Sequence, residues 1–259
     1  LFAGDLLGQL IATSFGTVDL EIPLFGLYGA CSTMGEALGL GAMCVNAGYA
    51  DRVLTLASSH YATAEKQFRF PLGYGNQRAQ SATWTVTGCG AVVLGKNKTR
   101  VAVTGITTGK LVDMGTKDSM NMGAAMAPAA YATLTAHFQD TGRGPDYYDL
   151  IVTGDLGKLG RELLLELFRQ DGVDLSTNHN DCGLMIFDLE NQDVHCGGSG
   201  CGCSAAVFTG YLLTGLTEGR WNNLLFCPTG ALHSPVATAQ GESIPGICHA
   251  VALTAPEGV

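Results

Sequence analysis

Four short sequence elements occur twice in this chain in the same order, and this repeat limits the possible folds more than any other feature. Each copy has an apolar run closing on Gly-Asp, a glycine-rich entry to a helix, a turn leading into a buried strand, and a closing strand of small residues. The repeat therefore predicts a duplicated α/β unit. The paired elements are Leu1–Gly8 with Leu150–Gly157, Gly29–Gly48 with Gly198–Gly219, Gly48–Ala57 with Gly219–Pro228, and Gly88–Leu94 with Ile247–Leu253.

The boundary between the two units is predicted near residue 98, which gives an N-terminal half at 1–98 and a C-terminal half at 99–259. The second half has a predicted strand, Val101–Lys110, and a predicted helix, Asn121–Phe138, before its Gly-Asp motif. The first half has no counterpart for these two elements. We therefore expect a strand and a helix to be missing from the N-terminus, ahead of Leu1.

The apolar segments indicate how the two units pack. Continuous apolar runs such as Val53–Ala57 and Leu224–Cys227 are typical of strands in a sheet that helices cover on both faces. The segment Ala37–Val45 is apolar nearly all round, as expected of a helix buried between two sheets. The predicted fold class is α/β, a duplicated five-layered α-β-α-β-α sandwich.

Charge and cysteine content exclude several classes of partner. The 14 Lys and Arg residues against 23 Asp and Glu give a net charge of −9, so no nucleic-acid partner is expected. No apolar run approaches the roughly 20 residues of a membrane-spanning helix, and no signal peptide is visible. The nine cysteines, an odd number, then indicate reduced thiols in a compartment of cytoplasmic type.

A cysteine at a predicted strand-to-helix turn is the sharpest chemical signal. The sequence Gly29-Ala30-Cys31-Ser32 opens the buried helix of the first half. A helix N-terminus presents free N–H groups and a positive dipole end, so we expect the pKa of the Cys31 thiol to be lowered. The same groups would hold a carboxylate or an oxyanion. The alternative is a cysteine that only packs in a crowded turn.

With GACS opening that helix, the duplicated unit resembles the thiolase and ketoacyl synthase superfamily. In that superfamily the cysteine is acylated and is supported by two histidines or by a histidine and an asparagine. The resemblance implies that Cys31 is the nucleophile-equivalent position, that Asp155 ends the strand of one catalytic histidine, and that Gly198 occupies the position of the other base. It also implies a glycine-rich oxyanion loop at 227–230.

The loss of both bases predicts that the protein is not an enzyme. Condensation requires donors that stabilise an enolate, and the anion Asp155 would oppose the developing charge. Two other functions remain open. One is a Cys31-dependent acyltransferase or condensing enzyme, and the other is a structural scaffold with a vestigial pocket.

Several long and compositionally unusual motifs extend over most of the chain. They are GACSTMGEAL, SSHYATAEKQFRFPLGYGNQR, TWTVTG, VDMGTKDSMNMGAAMAPAA, HFQDTGR, HNDCGLMIFD, GGSGCGCSA and TGALHSP with QGESIPGICHAV. Together these motifs resemble the stage V sporulation protein AD family of the SpoVA system in endospore-forming bacteria. This resemblance implies binding of dipicolinic acid (pyridine-2,6-dicarboxylate), other SpoVA membrane proteins as partners, and a peripheral location at the inner membrane of the endospore. Whether calcium accompanies the ligand stays open.

The predicted ligand site combines the cysteine turn with three other segments. Asp118 and Asn121 begin a helix expected to face the cysteine, and Arg69, Arg78 and Lys117 are the candidate cations for a dianion. No cofactor and no metal site are predicted, because Cys196, Cys201 and Cys203 lack the spacing of zinc ligands. The ligand-binding residues predicted are Cys31, Asp118, Asn121, Asp155, Thr229, Gly230 and His233.

A homodimer is also expected, because proteins of this superfamily usually pair an edge strand of the first half across a two-fold axis. The strand predicted to form that edge is Val53–Ala57, which would bring Ser58–Tyr61 close to the axis.

Overall fold

The structure is a computed structural model that describes residues 1–68, 78–97 and 99–255. Two mixed β-sheets form its centre. In the first sheet the strand order is β2-β1-β3-β5, and in the second it is β6-β13-β10-β7-β8. Two small pairs, β11 with β12 and β4 with β9, lie outside them.

The strands have the following bounds. Those of the first sheet are β1 (Phe2–Asp5), β2 (Phe25–Leu27), β3 (Arg52–Ser59) and β5 (Gly88–Gly95). Those of the second are β6 (Ala102–Thr107), β7 (Leu150–Thr153), β8 (His179–Asp181), β10 (Asn223–Cys227) and β13 (Ala250–Thr254). The small pairs are formed by β4 (Trp84–Thr85), β9 (Gly198–Ser199), β11 (Thr229–Ala231) and β12 (Gly246–Cys248).

The helices of the described residues are α1 (Ile11–Thr17), α2 (Thr33–Ala47), α3 (Tyr61–Phe68), α4 (Met122–Thr141), α5 (Gly157–Gln170), α6 (Cys182–Met185), α7 (Cys201–Val207), α8 (Leu213–Thr217) and α9 (Pro235–Ala239). A π-helical turn, Phe208–Leu212, joins α7 to α8. Strand β6 and helix α4 are the strand and the helix predicted within 101–138.

The two sheets repeat one topology. In the first, β1 runs parallel to β2 and β3, and β5 runs antiparallel to β3. In the second, β7 runs parallel to β8 and β10, and β13 runs antiparallel to β10. The second sheet also has β6, antiparallel to β13, whereas the described residues supply no corresponding strand beyond β5.

Helices α2 and α7 lie between the sheets, since α2 contacts strands of both and α7 packs on β3 and β5. Glycines allow this close approach: a Cβ at Gly90 of β5 would lie 2.3 Å from the Ala205 carbonyl oxygen of α7. Helices α4 and α5 pack against each other on the second sheet. The layered α/β fold predicted from the sequence is confirmed.

One prediction about the first sheet is wrong. The segment Val53–Ala57 belongs to β3, which lies between β1 and β5 and is therefore an interior strand. Its last residues are held inside the protein, where the Ser59 hydroxyl donates to the Val86 carbonyl and accepts from the Gly202 N–H. The strands at the edges of the first sheet are β2 and β5. Whether a strand lies at the edge or in the interior of a sheet depends on the order of all the strands, which an apolar run alone does not reveal.

Candidate functional site

The turn between β2 and α2 presents Cys31. Ala30 has a positive φ of 50°, which is uncommon for a residue with a Cβ, and the turn places Cys31 just before the helix. Local hydrogen bonds hold it: the Ser32 hydroxyl donates to the Gly29 carbonyl at 2.7 Å, and the Thr33 hydroxyl donates to the Ala30 carbonyl at 2.7 Å. Cys31 is only 6% exposed, so the thiol reaches solvent only through a cavity.

That cavity is a narrow slot above Cys31. The volume that the centres of water molecules can occupy in this slot is about 60 Å³, so it has room for a few waters. Three rings line it, those of Tyr28, Phe68 and His233. Four hydroxyl side chains also line it, those of Thr83, Thr85, Ser119 and Ser199.

Beneath the slot, the Cys31 thiol lies beside the carboxylate of Asp155, close enough for each group to shift the pKa of the other. Burial and the neighbouring Asp155 raise the pKa of the Cys31 thiol well above its usual range. The lowered thiol pKa expected from the helix N-terminus is therefore wrong. Removal from water and a buried anion outweigh the helix dipole here.

Asp155, 1% exposed, follows β7, an interior strand of the second sheet. Its carboxylate accepts hydrogen bonds from the Gly200 N–H at 2.9 Å and from the Thr229 hydroxyl at 3.0 Å. Burial raises its pKa from 3.8 to about 6, against the lowering effect of its donors. The structure therefore brings together Cys31, Asp155 and Thr229, three of the residues predicted for the site.

The position predicted for the second missing base needs a correction. A Cβ at Gly198 would lie 2.6 Å from Ile186 Cγ2 and 3.1 Å from Val86 Cγ2, so it would point into the core. The next residue, Ser199, lines the slot instead. Strand β9 is only two residues long, and its pairing with β4 decides which of the two side chains faces the cavity.

The segment predicted as an oxyanion loop forms strand β11, paired antiparallel with β12. Gly230 is required at its centre, because a Cβ there would lie 2.4 Å from the Gly29 carbonyl oxygen and 3.3 Å from the Cys31 backbone nitrogen. Ala231 and His233 continue along the slot. The His233 ring contacts the Thr238 hydroxyl through Nδ1 at 3.2 Å, and burial lowers the pKa of this histidine.

Asp118 and Asn121 lie beside the slot but not among the residues that line it, where Ser119, Met120 and Met122 are found. Asp118 is exposed, and its carboxylate accepts from the Met120 N–H at 2.9 Å. The Asn121 side chain caps α4 by accepting from the Ala124 N–H at 3.3 Å. In the structure both side chains stabilise the local backbone.

Of the two predicted cations that the structure describes, Arg78 is the one paired with a residue that lines the slot, Glu65. Its guanidinium forms an ion pair with Glu65 at 3.3 Å, donates to the Tyr61 hydroxyl at 2.8 Å and lies 3.4 Å from the centre of the Trp84 ring. Lys117 is exposed and does not line the slot. Arg69 lies outside the described residues.

Sequence reasoning missed Glu65, Tyr28 and Ser199. Glu65 is buried and lines the slot beside its partner Arg78. An acid on a short helix that carries few other charges is the one signal that could have identified it. Among the residues that the structure describes, no group of three or more histidine, cysteine or acidic side chains is arranged to hold a metal ion.

Solved structures of enzymes share this architecture. A tetronic acid condensing enzyme matches with a TM-score of 0.62 at 16% identity, covering 98% of this chain and 77% of its own. The 3-oxoacyl-[acyl-carrier-protein] synthase III of Aquifex aeolicus matches with a TM-score of 0.59 at 12% identity, covering 98% and 76%. The chain thus has the thiolase-like fold of the ketoacyl synthases.

Sequence comparison is more specific. Residues 1–254 match the family described as Stage V sporulation protein AD (SpoVAD). The Stage V sporulation protein AD of Bacillus subtilis (strain 168) is 45% identical over 251 residues, which cover 97% of this chain and 74% of that protein. The chain belongs to the SpoVAD family of sporulation proteins. Across the described ranges, no helix is long and apolar enough to cross a membrane.

Proposed function

We propose that this protein binds dipicolinic acid in the slot above Cys31 and does not catalyse a reaction there. In this proposal it is a component of the SpoVA system, which moves dipicolinic acid across the inner membrane of the spore during sporulation and germination. Membership of the SpoVAD family supports the sporulation role. The ligand comes from the family resemblance and is supported by the chemistry of the slot.

The observation that carries the proposal is the position of Cys31 at the base of the slot, with the buried carboxylate of Asp155 beside its thiol. A buried thiol next to an anion has a raised pKa and is a poor nucleophile at neutral pH. The slot above it combines aromatic rings with hydroxyl donors. A flat heteroaromatic ligand with two carboxylates matches this lining, because the rings pack on its faces and the hydroxyls donate to its oxygens.

The competing function is acyl transfer or condensation by Cys31. The observation in its favour is that the structural neighbours are condensing enzymes and that Cys31 lies at the base of a cavity. Against it, Asp155 is a carboxylate where an enolate-stabilising donor would be needed, and its charge opposes both a thiolate and an enolate.

Calorimetric titration with dipicolinate tests the proposal. Benzoate, which lacks the second carboxylate, should bind at least tenfold more weakly, since one charge-assisted contact is worth about 1.4 kcal/mol. Cys31→Leu should fill the slot and abolish binding, whereas Cys89→Leu, at an exposed position on β5, should bind like the wild type. Absence of dipicolinate binding to the intact protein would contradict the proposal.

Incubation with acyl-CoA and malonyl-CoA tests the alternative. We expect no acyl adduct on Cys31 in intact-protein and peptide mass spectra, and alkylation of Cys31 by iodoacetamide far slower than in a condensing enzyme. A thioester mapped to Cys31 together with turnover would favour the enzymatic function.

We also propose a homodimer, formed through the edge of the first sheet at β2. Large apolar side chains between α1 and β2, each 40 to 77% exposed, form what we name the α1–β2 face. An exposed strand edge beside such a face suits antiparallel pairing with a second copy, because a two-fold axis presents the same surface to both. The α1–β2 face comprises Ile11, Phe15, Val18, Leu20, Ile22, Leu24, Phe25 and Tyr28.

Sedimentation velocity tests the dimer. Phe15→Glu should give a monomer, while the matched control Val236→Glu, on α9 and similarly exposed, should remain dimeric. A wild-type protein that sediments only as a monomer at high micromolar concentration would contradict the proposal. We propose separately that contacts with the other SpoVA proteins hold this protein at the surface of the spore inner membrane. Co-purification from spore membranes tests this location.

A further inference from the structure

Three carboxylates lie buried beneath the slot, and they differ in how well their charges are compensated. Asp5, Asp155 and Asp181 are 4%, 1% and 0% exposed. Each follows or ends a strand whose carboxyl end points towards the site, so three acids share one region of low dielectric constant. A buried carboxylate stays ionised only where donors or cations replace the lost water.

Two of the three acids are well supplied with backbone donors. Asp181 accepts from the backbone N–H groups of Leu156, Gly157 and Gly183 at 2.9 to 3.0 Å, and also from the Thr153 hydroxyl. Asp5 accepts from two backbone N–H groups, those of Leu7 and Thr13, and from the Thr13 hydroxyl. These donors fix both side chains in the fold.

Asp155 has the weakest set of donors. It receives one backbone N–H, from Gly200, and one hydroxyl, from Thr229, and the thiol of Cys31 lies beside it. Asp181 acts on it as a second negative charge. Any further anion above Cys31 therefore bears most directly on the ionisation of Asp155.

We propose that Asp155 takes up one proton from solvent when an anionic ligand binds above Cys31, and that Cys31 relays this change to the ligand. In the bound state the Asp155 O–H donates to Cys31 Sγ, and the Cys31 S–H turns to donate to a ligand carboxylate. No covalent bond between heavy atoms forms or breaks. Asp155 is thus a positioning residue that makes the slot accept a carboxylate together with a proton. The inference rests on the proposed ligand binding.

Other titratable groups face the same place and have to be distinguished from Asp155. On the slot side these are Glu65, paired with Arg78, together with His233 and Tyr28. On the inner side, besides Asp181, the thiols of Cys182, Cys201 and Cys203 lie within electrostatic range of Asp155. The inner thiols have pKa values raised by burial and stay neutral.

The expected pH dependence follows from linkage. The pKa of Asp155 is already raised to about 6 in the free protein, and a bound anion raises it further. Proton uptake on binding should therefore be small at pH 5, where Asp155 is already largely protonated, and should approach one proton at pH 7 to 7.5. The affinity falls as the pH rises through this range, by at most tenfold per pH unit.

The experiment is calorimetric titration of the full chain with dipicolinate at pH 7.2, in two buffers that differ in ionisation enthalpy. The wild type should take up close to one proton per ligand, and Asp155→Asn, which keeps the shape of the side chain, should take up none. Glu65→Gln and His233→Asn are the controls and should retain the uptake, whatever their affinity. A difference infrared spectrum of the wild type should also gain a protonated carboxyl band on binding.

The outcomes separate the two proposals. Binding by the wild type without proton uptake, or uptake that persists in Asp155→Asn, overturns the role of Asp155 and leaves the proposed function standing. If proton uptake is lost in His233→Asn or in Glu65→Gln instead, that residue takes up the proton, and the role of Asp155 is overturned. Absence of dipicolinate binding at every pH overturns the proposed function and this inference together. Should Asp155→Asn fail to fold, the wild-type proton count and infrared band decide.

Discussion

The two sheets each supply one half of two similar thiol–acid pairs, and the thiol of one pair, Cys31, lines the slot. Cys31, after β2 of the first sheet, meets Asp155, after β7 of the second. Cys201, at the start of α7, lies within electrostatic range of Asp5, at the end of β1. Both acids follow a glycine in the repeated Gly-Asp motif. The pairs are thus related by the same duplication that relates the sheets.

The partners of each pair explain why they differ in chemistry. The Cys201 thiol donates to the Ser58 carbonyl at 2.9 Å, and Asp5 is occupied by donors from the segment 7–13. Cys31 instead lines the slot, and its acid has a single backbone donor. A repeated motif therefore predicts where two equivalent places lie, and the surrounding donors decide which of them becomes a site.

Replacing each of the two acids by asparagine should reveal the largest difference between the pairs, in the free energy of unfolding. In Asp5→Asn the amide nitrogen faces donors on either side, so at least one buried N–H or O–H loses its acceptor. We expect the free energy of unfolding to fall by about 4 kcal/mol, since each unsatisfied buried group costs roughly 1–3 kcal/mol. In Asp155→Asn the Thr229 hydroxyl can rotate to accept from the amide, so the loss should be small. Urea unfolding at pH 7.5 measures both, and equal losses would contradict the distinction.

The pH dependence of stability should sharpen the distinction between the two acids. The folded protein holds the proton of Asp155 up to about pH 6, whereas the unfolded chain loses it near 3.8. The wild type therefore loses stability as the pH rises from 4 to 6, and Asp155→Asn does not share that loss. Relative to the wild type, Asp155→Asn should gain up to about 3 kcal/mol between pH 4 and pH 7.5. If the stability difference between the wild type and Asp155→Asn stays constant with pH, burial does not shift the pKa of Asp155.

Thiol reactivity gives the smallest expected effect. Pulsed alkylation of the native protein, followed by peptide mass spectrometry, should modify the exposed Cys89 first, Cys31 slowly and Cys201 not at all. Asp155→Asn removes the anion that opposes the Cys31 thiolate, so modification of Cys31 should become roughly threefold to tenfold faster. The rate at Cys89 serves as the internal control. An unchanged rate at Cys31 would mean that access alone limits its reaction.

Much of the framework could be predicted because it depends on patterns within single segments. The repeated elements predicted two similar units, and the fold resemblance placed Cys31 near Asp155, as the structure has it. The helix before the second Gly-Asp motif was predicted as 121–138 and is observed as Met122–Thr141. Periodicity and motif spacing determine such features without knowledge of the tertiary contacts.

Features that depend on several segments at once could not be predicted. Ser199 lines the slot rather than Gly198 because of the pairing of β9 with β4. Strand β2 lies at an edge of the first sheet because of the strand order, although it is only three residues long. The raised pKa of Cys31 results from burial and from Asp155, more than a hundred residues away in sequence. The local sequence around Cys31 carries information only about the helix dipole, which is the weaker influence.

Each thiol–acid pair joins residues of one sheet to residues of the other, and this has a consequence for the kinetics of folding. Contacts between segments so distant in sequence form only after large loops have closed, and the entropy of that closure delays them. The first sheet can assemble its own neighbouring strands earlier, since all of its pairings lie within residues 2–95. We therefore expect the slot to form in the last stage of folding, when the sheets dock through α2 and α7. A refolding chain should regain most of its secondary structure before it regains any capacity to bind a ligand.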